Sequence, residues 1–234
     1  MADDYSSLEG YNPDADLGLG CGIPTQYAKI KEGDIVIDLG SGAGNDAFIA
    51  RRYVGEKGKV IGIDFSEAMI EKARQNVESL GFNNIEFRYG DIEKIPVNAN
   101  RADVVLSNCV LNLVPNKRNV FNEIFRVLKT KGHFSISDIV LEGQLPEKLK
   151  KAAEMYAGCV SGAIPKQEYI NLIHQTGFVN ISLLKEKKIH IPDDILLQFI
   201  SQEELTEMKK SDPGIYSITV YGEKPCCEPG SGCC

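Results

Sequence analysis

The stretch VIDLGSGAGND, residues 36–46, decides how the rest of the chain is read. Asp38, Gly40, Gly42 and Gly44 stand where an apolar, β-branched run (DIVIDL, 34–39) gives way to a helical stretch (NDAFIARRYVG). Glycines at such a junction let the backbone approach a ligand closely and adopt conformations that a Cβ would forbid. A second strand, KVIGID (59–64), ends on Asp64, 20 residues beyond Gly44. In a doubly wound sheet, an acid at that strand end can accept hydrogen bonds from ribose hydroxyls. Glycines alone would also serve a tight strand-to-helix turn. The strand before, the helix after and the acid on the next strand together point to a nucleoside-bearing cofactor. The order is D-x-G-x-G-x-G rather than G-x-G-x-x-G, so a dinucleotide is the poorer fit.

Outward from this motif the chain alternates between strand-like and helix-like segments. SEAMIEKARQNVESLG (66–81) is a helix with Ser66 placed to cap it, Glu67 in its first turn and Gly81 at its end. IEFRY (85–89), DVVLSN (103–108) and HFSISDIVL (133–141) read as further strands, and NVFNEIFRVLK (119–129) as a helix with one apolar face. This βαβα rhythm implies a parallel sheet covered on both faces. After about residue 142 the pattern changes: two helices interrupted by a Gly-rich bend and Pro165, then two alternating stretches, VNISLLKEKKIHI and GIYSITVYGEK (214–224). These last two suit an antiparallel pair at the sheet edge. The predicted fold is α/β, a Rossmann-like doubly wound sheet, mostly parallel with an antiparallel edge, plus a small α+β C-terminal cap. The segments are an N-terminal part (1–29), a cofactor-binding core (30–141), a cap or substrate region completing the sheet (142–224) and a Cys-rich tail (225–234).

Composition narrows the partners. At 234 residues the chain can bury a sizeable core, and 43% hydrophobic with 25% charged residues is ordinary for a globular protein. A net charge of −7 argues against a nucleic-acid surface. No apolar run approaches the roughly 20 residues of a membrane span, and MADDYSSLEG lacks the basic and apolar regions of a signal peptide. A cytoplasmic setting is expected, in which thiols stay reduced. The seven cysteines then read as metal-binding, catalytic or incidental rather than as a disulfide framework. The three histidines (His133, His174, His190) fall on separate elements, as core or surface residues rather than a metal cluster, and EKLKKAAE and SQEELTEMKK read as solvated helix faces.

Taken together, VIDLGSGAG, GIDFS (62–66), YGDIEKIP (89–96) and VLSNCVLNLV (105–114) resemble, in order, the motifs of class I S-adenosylmethionine-dependent methyltransferases. The resemblance covers roughly residues 30–141. It implies that S-adenosylmethionine is the cofactor, with Asp38, Gly40, Gly42 and Gly44 around its aminoacyl end and Asp64, with Phe65, at the ribose. It also implies that Asp91 and Ile92 flank the adenine and that Asn108 sits near the sulfonium. Read without the resemblance, Asp91 is also a turn residue and Asn108 a strand-end cap.

Within that branch the chain is similar to arsenite methyltransferases, on LGLGCGIPT (17–25), SNCVLNL (107–113) and AGCVSGAI (157–164). The resemblance implies that Cys21 and Cys159 are catalytic thiols that hold trivalent arsenic. Thiolates are the soft ligands that a thiophilic centre requires. An arsenic atom held by thiolates keeps its lone pair as nucleophile, so catalysis is mainly positioning. The chain departs from the family in two places. No cysteine follows TGF near residue 178, and none occurs in residues 1–20. Cys109 could substitute if it faces the cleft, or could be a small buried hydrophobe. The tail cysteines Cys226, Cys227, Cys233 and Cys234 could capture arsenite and pass it on by thiol exchange. Their spacing is not that of a structural zinc site. A thiol reductant is an implied partner. The aromatic side chains of Tyr5 and Tyr11 are candidates to cover the cofactor. Two rival readings are a methyltransferase of a small organic acceptor such as a quinone precursor, with incidental cysteines, and a non-catalytic arsenic- or metal-binding protein on the same scaffold.

Overall fold

The computed structural model describes residues 4–18, 20–143, 160–211 and 214–226. Seven strands form one sheet: β1 (Ile35–Leu39), β2 (Lys59–Asp64), β3 (Ile85–Tyr89), β4 (Ala102–Asn108), β5 (Leu128–Glu142), β6 (Val179–Lys188) and β7 (Gly214–Glu223). Their order is β3-β2-β1-β4-β5-β7-β6. The first five run parallel, while β7 pairs antiparallel with both β5 and β6, which is the predicted antiparallel edge.

Apolar runs rather than alternation mark the central strands because both faces are buried. Val36, Val60, Val104 and Leu106 point to one side, into a core with Ala47, Phe48 and Val54 of α1 (Asn45–Val54) and Ile70 and Ala73 of α2 (Glu67–Leu80). Their neighbours Ile37, Ile61 and Val105 point to the other side, beneath α3 (Lys117–Val127) and α4 (Lys166–Thr176). There Phe121 packs edge-on against Tyr169, ring centres 5.5 Å apart. The caps of α2 form as its sequence predicts: Ser66 Oγ accepts the Met69 N–H, and Gly81, at φ +68°, returns its N–H to the Glu78 and Val77 carbonyls.

The outer elements depart from expectation in local ways. The helix expected to run through Lys129 ends at Val127, and Leu128 already pairs with Ala102, so β5 starts five residues before the predicted His133. An apolar residue at that corner fits either element, and the free edge of β4 takes it. After Pro192 a short α5 (Asp193–Leu196) forms, which the sequence reading did not separate from its surroundings. The SQEELTEMKK stretch becomes α6 (Gln202–Ser211). The first of the two helices expected after residue 142, with its EKLKKAAE run, falls on residues 144–159, outside the described residues. Among the described residues no helix is long and apolar enough to cross a membrane.

The strand order reverses between β1 and β4. A crevice opens at such a point, beyond the carboxyl ends of the strands.

Candidate active site

The crevice is bounded by the loops that leave β1 and β4. After Leu39 the chain turns sharply: the N–H groups of Gly40 and Ser41 both donate to the Ile63 carbonyl, at 2.8 and 3.0 Å. Gly40 has φ +66°, and a Cβ there would enter the methyl groups of Val110 on the facing loop. Gly42 faces the opening and donates its N–H to Asp64 Oδ2 at 2.9 Å, while Asp64 Oδ1 accepts the Ser66 N–H at 2.9 Å. The acid at the end of β2 is thus oriented by backbone donors on both oxygens. Together these loops enclose a cleft of about 650 Å³.

Three carboxylates converge on its floor. Asp38 is fully buried and one of its oxygens accepts the Ala47 N–H, but Oδ2 finds no partner in the protein. Burial, then the charges of Asp46 and Asp64, hold its carboxyl well above the usual range. Burial likewise pushes the Asp46 carboxyl up to about 6, against hydrogen bonds from Asn108 and Tyr5 that pull the other way. Ser41 Oγ and Asn45 Oδ1, beside Asp38 in the cleft wall, also lack protein partners. Buried acceptors without donors are costly unless a ligand satisfies them.

A polar knot ties the N-terminal segment to this floor. The Tyr5 hydroxyl donates to the Gly22 carbonyl at 2.7 Å and lies 3.2 Å from Asp46 Oδ2. Burial, and Asp46 beside it, raise the Tyr5 pKa. Asn108 Nδ2 reaches the Tyr5 oxygen, the Gly22 carbonyl (2.9 Å) and Asp46 Oδ2 (3.0 Å), while its Oδ1 accepts the Cys21 N–H at 3.1 Å. Asn108 therefore lines the cleft and at the same time fixes the Cys21–Gly22 loop.

Of the residues singled out from the sequence, Asp38, Gly40, Gly42, Asp64, Phe65, Asp91, Ile92, Asn108 and Cys109 all line the cleft. Asp91 also caps the short turn that follows it, accepting the Glu93 N–H at 2.8 Å. Phe65 is 69% exposed at the cleft mouth. Gly44 is not among the lining residues: at φ +103° its missing Cβ makes room for the rings of Phe87 and Phe48. Sequence reasoning missed Ser41, Asn45 and Asp46. Asp46 reads as an ordinary acid in a first helical turn, where the dipole favours one. Only the closeness of Tyr5 and Asn108 marks it as part of the site.

The cysteines depart most from expectation. The seven were read as unpaired thiols, but Cys21 and Cys109 are joined as a disulfide, Cα atoms 5.6 Å apart across a sequence separation of 88. Asp138 completes the group, its carboxylate oxygen and the two sulfurs lying within 4.8 Å of one another, all buried. Ile139, Val160, Ala163 and Ile215 pack around the pair. Cys109 is a non-glycine residue at φ +61°. Cys226 is exposed; Cys159, Cys227, Cys233 and Cys234 lie outside the described residues. No histidine joins this ligating group, and His133 instead bonds the Ala28 carbonyl.

A switch-point cleft with a glycine turn, an oriented acid at the end of β2 and an acidic floor defines a class I methyltransferase. The chain belongs to the methyltransferase-domain family, whose description matches residues 30–177. It is 39% identical over 226 residues to the arsenite methyltransferase of Halobacterium salinarum, spanning 96% of this chain and 54% of that protein. The mouse arsenite methyltransferase is 36% identical over 220 residues, covering 86% of this chain and 57% of the relative. The chain thus spans somewhat more than half the length of these relatives. The crystal structure of an arsenic(III) S-adenosylmethionine methyltransferase from Chlamydomonas reinhardtii superposes with a TM-score of 0.73 at 33% identity, over 90% of this chain and 68% of the other. S-adenosylmethionine is the methyl donor of the family, and the chemistry of the residues present fits such a group: Asp38 and Ser41 carry unpartnered buried oxygens in the cleft wall, and Asp64 is an oriented carboxylate beside them.

Proposed function

We propose that this chain transfers a methyl group from S-adenosylmethionine to trivalent arsenic held by cysteine thiolates. The observation that carries this reading is that Cys109, bonded to Cys21, lines the same cleft as Asp38 and Asp64. When bound, the cofactor supplies an electrophilic methyl on a sulfonium.

The protein's part is to bind, orient and exclude water. Asp64, fixed by Gly42 and Ser66, receives the ribose hydroxyls, and Asp38 and Ser41 receive the amino group. Asp91 and Ile92 flank the adenine, with Phe65 at the open side. Trivalent arsenic attacks through a lone pair and carries no proton there, so no side chain has to act as a base. Positioning of this kind can account for a large share of a rate enhancement. Cys21 and Cys159 are the thiols we assign to the acceptor, a thiol reductant keeps them available, and the tail cysteines act as a capture device.

The test is methyl transfer to arsenite with S-adenosylmethionine and a thiol reductant. Cys159→Ser is expected to lower turnover at least 100-fold with cofactor affinity unchanged. A chain ending at Lys224 is expected to keep its maximal rate and need more arsenite to reach it. Undiminished turnover in Cys159→Ser would instead favour the small-organic-acceptor reading, which the apolar mouth around Phe65, Tyr89 and Leu113 would serve.

A further inference from the structure

We propose, on the reading that Asp91 and Ile92 flank the adenine, that Glu123 and Arg126 of α3 are positioning residues for base selection. They grip the loop that presents Asp91 and Ile92, and act on the cofactor only through it.

The loop from Asp91 to Val97 lies between β3 and β4 and joins no strand. Its backbone polar groups need partners from elsewhere. Helix α3 supplies them. Glu123 Oε2 accepts the Ile95 N–H at 2.7 Å. Arg126 donates from Nη1 to the Val97 carbonyl at 2.8 Å and from Nη2 to the Ile95 carbonyl at 3.0 Å. The same guanidinium binds Glu123 through Nε at 2.6 Å and Nη2 at 2.7 Å, so acceptor and donors form one unit. Arg126 beside it holds the Glu123 carboxyl below the usual carboxylate range. An exposed ion pair of this spacing ordinarily contributes little. Here the Glu123 side chain is 18% exposed, and the pair directs further hydrogen bonds at loop backbone.

The grip runs along one face of the helix. Asn116 at the N-cap, Asn119, Glu123 and Arg126 follow at intervals of three, four and three residues, which makes a single stripe. The Asn116 N–H and Asn119 Nδ2 donate to the two oxygens of Glu93, itself a cleft residue. On the other side, Pro96 packs on Gly90, where a Cβ would come within 2.7 Å of the proline ring. Ile92, Ile95 and Val97 are buried in the core beneath. Between these anchors the Glu93 N–H donates to Asp91 Oδ1 at 2.8 Å, and Asp91 and Ile92 both line the cleft.

Donors and acceptors explain what the grip achieves. A carboxylate accepts from the exocyclic amino group of adenine and repels the carbonyl oxygen that hypoxanthine carries at that place. Discrimination of this kind requires the carboxylate to be held still. A loop free to shift binds both bases less well and tells them apart less sharply. The planar fork of Arg126 reaches two carbonyls and Glu123 together, and a lysine offers no such fork.

The experiment measures binding, so it does not depend on the methyl acceptor. Calorimetry on the full chain with S-adenosylhomocysteine and S-inosylhomocysteine, its hypoxanthine analogue, gives base discrimination as a ratio of affinities. Arg126→Met is expected to weaken S-adenosylhomocysteine at least tenfold and to narrow the ratio at least threefold. Arg126→Lys should show most of the same loss. Asp91→Ala should also narrow the ratio, and adding Arg126→Met to it should narrow it no further, because both act through one loop. Arg118→Met, on the same helix but hydrogen-bonded to Gln175 of α4, should leave the ratio unchanged. In the ligand-free protein, amide exchange across residues 92–97 should quicken at least tenfold in Arg126→Met with α2 unaffected, a readout that survives if the variant binds too weakly for calorimetry. Unchanged exchange there would overturn the grip. A ratio unchanged in both Arg126 variants, while Asp91→Ala narrows it, would overturn the positioning role and leave the adenine reading standing. A ratio unchanged in Asp91→Ala would overturn that reading and the proposal with it. An equal loss in Arg118→Met would reduce the effect to general weakening of α3 and overturn the proposal as well.

Discussion

Asp46 shows how a single side chain changes meaning with its surroundings. Its carboxyl rises from an ordinary 3.8 to about 6 because burial disfavours the charge more than Asn108 and Tyr5 favour it. A group with a raised folded pKa holds its proton more tightly in the folded state. Between about pH 4 and 6 the unfolded chain therefore binds fewer protons, and stability falls as pH rises through that window. The contribution is at most about 3 kcal/mol, from roughly two units at 1.36 kcal/mol each. Asp38 and Asp138 push the same way, whereas Glu86, lowered to about 2 by Arg88 and Lys59, acts only below its ordinary 4.5. Urea unfolding between pH 5 and 7.5 should show wild-type stability declining, and Asp46→Asn should show a shallower decline. An unchanged slope would mean that Asp46 is already ionised in the native protein at pH 5, its folded pKa not raised. Tyr5→Phe removes the donor shared by Gly22 and Asp46, and unfolding should become easier by about 1–3 kcal/mol. Cofactor affinity, read by calorimetry, should fall several-fold with it.

At the scale of elements, the segment after residue 160 is held to the core by backbone contact. Lys117 Nζ donates to the Gly162 carbonyl at 2.7 Å, and a Cβ on Gly162 would run into the Asn112 carbonyl oxygen on the loop that follows β4. Asn112 Nδ2 in turn donates to the Ile139 carbonyl of β5 at 2.8 Å. Gly162→Ala should therefore push this segment off the pocket of Cys21 and Cys109 while leaving the loops at β1 and β2 in place. Arsenite turnover is expected to drop at least tenfold with S-adenosylmethionine affinity nearly unchanged, and an equal loss of both would place the effect in the cofactor cleft instead. The elements themselves were largely legible. Seven strands and the helices after β1, β2 and β4 follow from apolar runs, Ser66 and Gly81, because local propensity and tertiary burial agree there. The start of β5 at Leu128 was not legible, since its pairing with Ala102 lies outside any local window.

Across the whole molecule, the Cys21–Cys109 bond ties the N-terminal segment to the end of β4 across 88 residues. A crosslink closing a loop of that length stabilises by up to about 4–5 kcal/mol in the chain-entropy account. Reduction should thus lower the thermal midpoint in calorimetry, and S-adenosylmethionine should recover part of the loss by binding the folded state. A midpoint indifferent to reductant would show that the two sulfurs are not joined in solution. The sequence by itself determined the alternating strands and helices of the parallel core, the glycine turn after β1 and the acid at the end of β2. Each is written in contiguous residues whose spacing and conformational needs are local. Only the tertiary structure decided that Cys109 meets Cys21 and Asp138, that Asp46 belongs with Tyr5 and Asn108, and that Gly44 makes room for Phe48 and Phe87. Those partners come from separate elements, and their distances are set by strand register and helix packing, which spacing along the chain does not encode.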